Sequence, residues 1–130
     1  MSLDIYVCRF ENGQPAPLDM SAAYEVLDPH VVARDAGLNF LQVSTGEGEA
    51  ADVYLTSPTN ITFNRIGGEG SMDLLAELLK RLNAVLMVPG ESVILQEEKD
   101  RELLPSALKD AYTVVVARTG AEITQAIQTH

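Results

Sequence analysis

Cys8, His30 and Asp35 are the residues whose types match a thiol nucleophile system, in which a thiolate sits beside an imidazole held in place by a carboxylate. They are the candidate catalytic set. Their surroundings favour a different use. Cys8 falls within the apolar run Leu3–Phe10, on the side shared by Tyr6 and Phe10, where cysteine behaves as a small hydrophobe. His30 follows Asp28-Pro29, which marks a turn, and the other histidine is His130. With two histidines and one cysteine, a transition-metal site would need carboxylates from distant parts of the chain. Glu47-Gly48-Glu49 lacks the ligand spacing of a calcium loop, and Glu97 and Glu98 diverge if that stretch is helical. The sequence therefore predicts no metal and no cofactor.

A second candidate is the run Gly67-Gly68-Glu69-Gly70-Ser71 ahead of a helical pattern. Backbone N–H groups at such a point can hold an anion, and glycine permits close approach. Gly68, Gly70, Ser71 and the nearby Arg65 are thus the candidate ligand-binding residues. The run has no Gly-Lys-Ser/Thr ending and misses the dinucleotide spacing. Glu69 and Asp73 would repel phosphate. A strand-to-helix connector with Ser71 as N-cap accounts for the same residues. Arg65, like Arg9, also suits pairing with an acid or lying along a sheet edge.

Charge narrows the partners. The formal net charge is −10 over 130 residues. Residues 1–65 carry nine acids against three arginines, and residues 66–130 carry ten acids against six bases, so neither half supplies a basic arm. Nucleic-acid binding needs cations to displace condensed counterions, and a membrane-docking helix needs a basic face. Neither partner is expected. A basic protein is the partner such a surface fits. One cysteine excludes an internal disulfide framework. Neither a spanning apolar run nor a basic-then-apolar leader is present, which places the expectation in the cytoplasm.

The elements that would position these groups can be read from periodicity. Leu3–Phe10 is apolar on both faces, as in a strand covered on both sides. Pro15 and Pro17 keep the next stretch extended. Asp19 caps a helix to about Leu27, and Asp28-Pro29 stops it. His30–Gly37 reads as an irregular connector. Phe40–Ser44, Asp52–Thr56 and Ile61–Ile66 are separated by short turn-forming gaps and form an antiparallel meander. Met72–Leu82 is the clearest helix, with Glu77 placed to pair Lys80 or Arg81 and Asn83 to end it. Ala84–Val88 and Ser92–Gln96 flank the Pro89-Gly90 turn. Glu97–Leu103 is a short charged helix broken near Pro105, with a separate turn at Ser106–Asp110. Tyr112–Ala117 is the strongest strand, and Thr119 with Glu122 caps a last helix.

The expectation is one globular domain over residues 1–130. Its class is α+β, with mixed α/β as the alternative: a largely antiparallel or mixed sheet of about five to seven strands with about four helices packed on it. The expected function is a non-catalytic protein-interaction module, concretely an inhibitor or toxin-neutralising protein for a basic partner. A small-molecule-binding domain or enzyme using the 67–71 loop or Cys8 with His30 is the alternative, and pairing of copies through a sheet edge is a third role.

Overall fold

The computed structural model describes residues 4–35, 37, 39–46, 49–55, 57–64 and 69–128. Nine strands form one mixed sheet: β1 (Ile5–Glu11), β2 (Gln14–Ala16), β3 (Val31–Asp35), β4 (Phe40–Gly46), β5 (Glu49–Tyr54), β6 (Asn60–Asn64), β7 (Val85–Val88), β8 (Ser92–Leu95) and β9 (Thr113–Val116). Four α-helices accompany them among the described residues: α1 (Met20–Leu27), α2 (Glu69–Leu82), α3 (Ser106–Ala111) and α4 (Gly120–Gln128). Two 3-10 segments, Asp28–His30 and Glu98–Leu103, add to the helical parts. The α+β class holds, with more strands and more helical segments than the sequence suggested.

The sheet runs β3-β4-β5-β6-β1-β7-β8-β9, with β2 hydrogen-bonded to the far end of β1. Every neighbouring pair is antiparallel except β8 and β9. The extra strands come from two weakly patterned stretches. Asn12 and Gly13, both at positive φ (52° and 78°), make a two-residue turn that folds Gln14–Ala16 back onto β1, which puts Pro15 in a short edge strand. The stretch expected to be an irregular connector is β3. It lies at the sheet edge, is mostly exposed and carries a register shift between Val31 and Ala33, so apolar alternation does not mark it.

Most helices pack on one face, called inner here. Ile5 and Val7 of β1, Val43, Val53, Ile61 and Phe63 are 0–1 % exposed and meet Leu75, Leu78 and Leu79 of α2, with Leu27 of α1 and Ile123 of α4 in the same core. Among the described residues the opposite face is covered over β1, β7, β8 and β9. There Cys8, Phe10, Val85, Val93 and Leu95 meet Leu104, Leu108 and Tyr112 from the Glu98–Leu103 turn and α3. This explains why β1 is apolar on both faces.

Caps follow local chemistry. The Ala22 N–H donates to Asp19 Oδ1 (3.1 Å), and the Glu122 N–H donates to Thr119 Oγ1 (3.1 Å). Glu122 Oε1 accepts from the Arg118 N–H (2.8 Å), one residue before the Thr119 cap, so the expected capping box forms only its Thr119 half. Asn83, at φ 54°, ends α2 as the Ala84 N–H reaches Leu79 O (3.0 Å). Two expectations about α2 fail. Arg81 pairs with Glu25 of α1 (2.6 Å) instead of Glu77. The helix also begins at Glu69, so Ser71 lies inside its first turn and is not its N-cap.

The start of α4 sits tightly on α2. A Cβ on Gly120 would fall on Asp73 Oδ1, 2.7 Å from the Asp73 N and 2.9 Å from the Met72 carbonyl carbon. Gly120→Ala should therefore destabilise the fold by about 1–3 kcal/mol through overpacking, although alanine is the better helix former. Urea unfolding reads this directly; an unchanged or raised midpoint would show that the helices separate freely. Ser92, at 0 % exposure, has a hydroxyl without a hydrogen-bond partner among the described residues. Ser92→Ala should leave stability unchanged or raise it by up to about 1 kcal/mol in the same assay, since it removes an unsatisfied buried group.

Candidate functional site

The structure separates the candidate catalytic set. Cys8 is on β1, between β6 and β7, while His30 adjoins β3 at the sheet edge, four strand spacings or about 19 Å away. His30 and Asp35 bracket opposite ends of β3, and Asp35 Oδ1 accepts the Gly37 N–H (3.0 Å). Among the described residues, nothing places a base beside the thiol. Burial among Phe10, Val85 and Leu95 pushes the Cys8 thiol from 9.0 up to about 11, because the thiolate would lose its hydration.

The glycine-rich candidate divides. Arg65 and Gly68 lie outside the described residues. Gly70 and Ser71 dock α2 on the sheet: a Cβ on Gly70 would come within 2.6 Å of Thr45 O, and Ser71 Oγ is hydrogen-bonded to Thr45 Oγ1 (3.0 Å). Ser71 is 2 % exposed. Both residues therefore serve helix–strand packing. Among the described residues no group of three or more His, Cys, Asp or Glu side chains could hold a metal ion, and no helix is long and apolar enough to cross a membrane.

A different surface emerges on the outer face of β3–β6, the half of the sheet that α3 and the Glu98–Leu103 turn leave uncovered. Cross-strand register aligns Asp35, Phe40, Tyr54, Thr62 and Tyr6 in one row. The Phe40 and Tyr54 rings are 5.2 Å apart and tilted by 48°, a favourable aromatic geometry. Tyr54 is 37 % exposed, and Val32 at the edge is 62 % exposed. The adjacent row places Ala33, Gln42, Asp52 and Asn64 together. Amides and acids are linked there: Gln42 donates to Asp52 Oδ1 (3.5 Å), and Asn64 donates to Asp4 Oδ1. Among the described residues of these four strands the one cation is Arg34, and it is turned to Asp28 (3.2 Å).

Sequence reasoning missed this face because its residues come from four strands and none is unusual alone. The pairing of Phe40 with Tyr54, on adjacent strands of the meander, was the available signal. Comparison with protein-family models, with curated proteins and with solved structures found no match.

The Cys8 geometry makes a pH prediction. Below pH 9 both folded and unfolded states keep the thiol protonated and the group contributes nothing to the pH dependence. Between about pH 9 and 11 only the unfolded chain ionises, so stability should fall with rising pH, by up to about 3 kcal/mol, and then level off. Cys8→Ala should remove that part of the slope in urea titrations, and the native thiol should resist a thiol reagent until unfolding. Rapid labelling of the folded protein at neutral pH would contradict the burial argument.

Proposed function

We propose that this protein is a non-catalytic interaction module that binds a basic protein surface through the outer face of β3–β6. The observation that carries the reading is that half-covered sheet. A row of aromatic and polar side chains, Phe40, Tyr54 and Thr62, stands on a rigid platform with no helix over it among the described residues. Tyrosine and phenylalanine give large contact area at small entropic cost, and such residues anchor interfaces. Asp4, Asp35 and Asp52 border the row. The chain's net charge of −10 adds attraction for a cationic partner at low salt. An inhibitor or toxin-neutralising protein that covers a basic groove is the concrete form this takes.

The separation of Cys8 from His30 supports a binding role over thiol catalysis. The packing roles of Gly70 and Ser71 weigh against the 67–71 run as a ligand loop.

The test is affinity capture from the source lysate at low and high salt, repeated with Phe40→Ala/Tyr54→Ala. A cationic protein held at low salt by the parent chain, released at high salt and bound about tenfold or more weakly by the double variant is expected. Amide exchange should slow on β4–β6 in that complex. Capture that the double variant leaves unchanged, or an absence of salt-sensitive partners, would overturn the reading.

A further inference from the structure

The carboxyl ends of β8 and β9 lie side by side, since the two strands are parallel and Leu95 is in register with Val116. Their continuations part. From β8 the chain enters the Glu98–Leu103 turn and α3, whose Leu104 and Leu108 cover the outer face. From β9 it enters α4, whose Ile123 joins the inner core against α2. In open sheets, crevices outside strand carboxyl ends where connections diverge are the places that ligands occupy. Here the crevice is a cavity of about 330 Å³ whose third side is lined by Lys80 of the last turn of α2 and by Asn83 just after it. That volume is in the range of small-molecule sites.

Its walls carry both charges. Arg118, the second residue after β9, donates Nε–H to Gln96 O (3.0 Å), and Gln96 returns a bond from Nε2 to Ala117 O (3.0 Å). This reciprocal clamp ties the two strand ends and fixes the guanidinium at the mouth. Its Nη groups make no hydrogen bond among the described residues, and the Lys80 ammonium has no ion pair among them. The same walls carry Asp100, half-buried, and Glu97, which pairs with Lys99 (3.1 Å). Asn83 and Asp100 also line a second cavity of about 450 Å³ that continues toward Arg9 and Phe10.

We infer that this crevice is a binding site for a small zwitterion of the α-amino-acid class. Arg118 with Lys80 receives the carboxylate, since a guanidinium offers a planar two-point match to it. Asp100 receives the ammonium, and Asn83 and Gln96 supply neutral amides beside it. The side chain of the ligand extends into the adjoining cavity. A phosphate is disfavoured because both acids would face its charge. This site is on the opposite half of the sheet from Phe40 and Tyr54, so it stands or falls independently of the protein-binding face.

The test is an ¹⁵N-¹H NMR titration of the full chain with each proteinogenic L-α-amino acid, with acetate, ethylammonium and inorganic phosphate as separate arms. At least one amino acid should shift the amides of Asn83, Gln96, Asp100 and Arg118 in a saturable manner. Acetate and ethylammonium alone should bind more weakly, and phosphate should not compete. Lys80→Gln and Asp100→Asn, whose side chains hold no hydrogen bond among the described residues, should each weaken binding about tenfold or more. They avoid the strand-clamping role of Arg118, and an unchanged melting temperature confirms that they fold. The inference is overturned if no amino acid gives saturable shifts, if phosphate or acetate binds as tightly, or if both variants bind like the parent.

Discussion

Two half-sheets become one because β1 pairs with both β6 and β7. Ile5–Cys8 is in register with Asn60–Phe63 on one side, and Tyr6–Cys8 with Val85–Met87 on the other. Without it, the β3–β6 meander and the β7–β9 unit would share no ladder. A strand in that place is packed on both faces over most of its length, and each fully buried aliphatic side chain contributes roughly 1.5–3 kcal/mol of driving force. The 0 % exposure of Ile5 and Val7 on one side and the buried Cys8 and Phe10 on the other follow from that placement. So does the buried thiol: Cys8 is where a small apolar side chain fits beneath Leu104, Val85 and Val93.

The same strand sets the route of the rest of the chain. Since β6 and β7 both lie antiparallel to β1, they run in the same direction, and the chain must cross over β1 to join them. α2 makes that crossing, and it is the longest helix because it must return the full length of the sheet. Its apolar stripe then becomes the ceiling of the inner core, against which α1 and α4 pack. Its first turn is pressed against β4 through Gly70 and against α4 through Asp73. Its last turn, with Asn83 just after it, delivers Lys80 and Asn83 to the carboxyl ends of β8 and β9. One helix thus fixes both a core and a crevice wall.

Much of this was readable in the residues. The doubly apolar run at Leu3–Phe10, the antiparallel meander that starts at Phe40 and the N-cap at Thr119 each state their structure through local pattern. The edge strands were harder. β3 buries little, and β2 includes Pro15, so neither carries the alternation that marks a half-buried strand. Site residues were hardest. Ser71 reads as an N-cap because serine before an apolar period usually is one; here Thr45, from a strand far away in sequence, engages its hydroxyl. The Phe40 row and the Arg118 crevice depend on register and on which face each connection takes. Neither quantity is local. Asp100, Arg118 and Lys80 are ordinary surface residues until parallel pairing of β8 and β9 brings their segments together.

That long-range arrangement also sorts the charges. The chain has nine Lys and Arg residues, and four of them, Arg9, Lys80, Lys99 and Arg118, line the two adjoining cavities beyond the ends of β1, β8 and β9. Arg34, Arg81 and Arg101 are each drawn into an ion pair, with Asp28, Glu25 and Glu98. The outer face of β3–β6 is left with carboxylates, amides and aromatic rings among its described residues. At physiological salt a charge is screened over about 8 Å, so the cations at the crevice do little to offset the field above that face. On the proposed reading, a cationic surface would be drawn toward the aromatic row, and a small carboxylate toward the guanidinium and ammonium of Arg118 and Lys80 at the other half. Among the described residues, the covering of one half of the sheet and the baring of the other give a strongly acidic chain two surfaces of different chemistry.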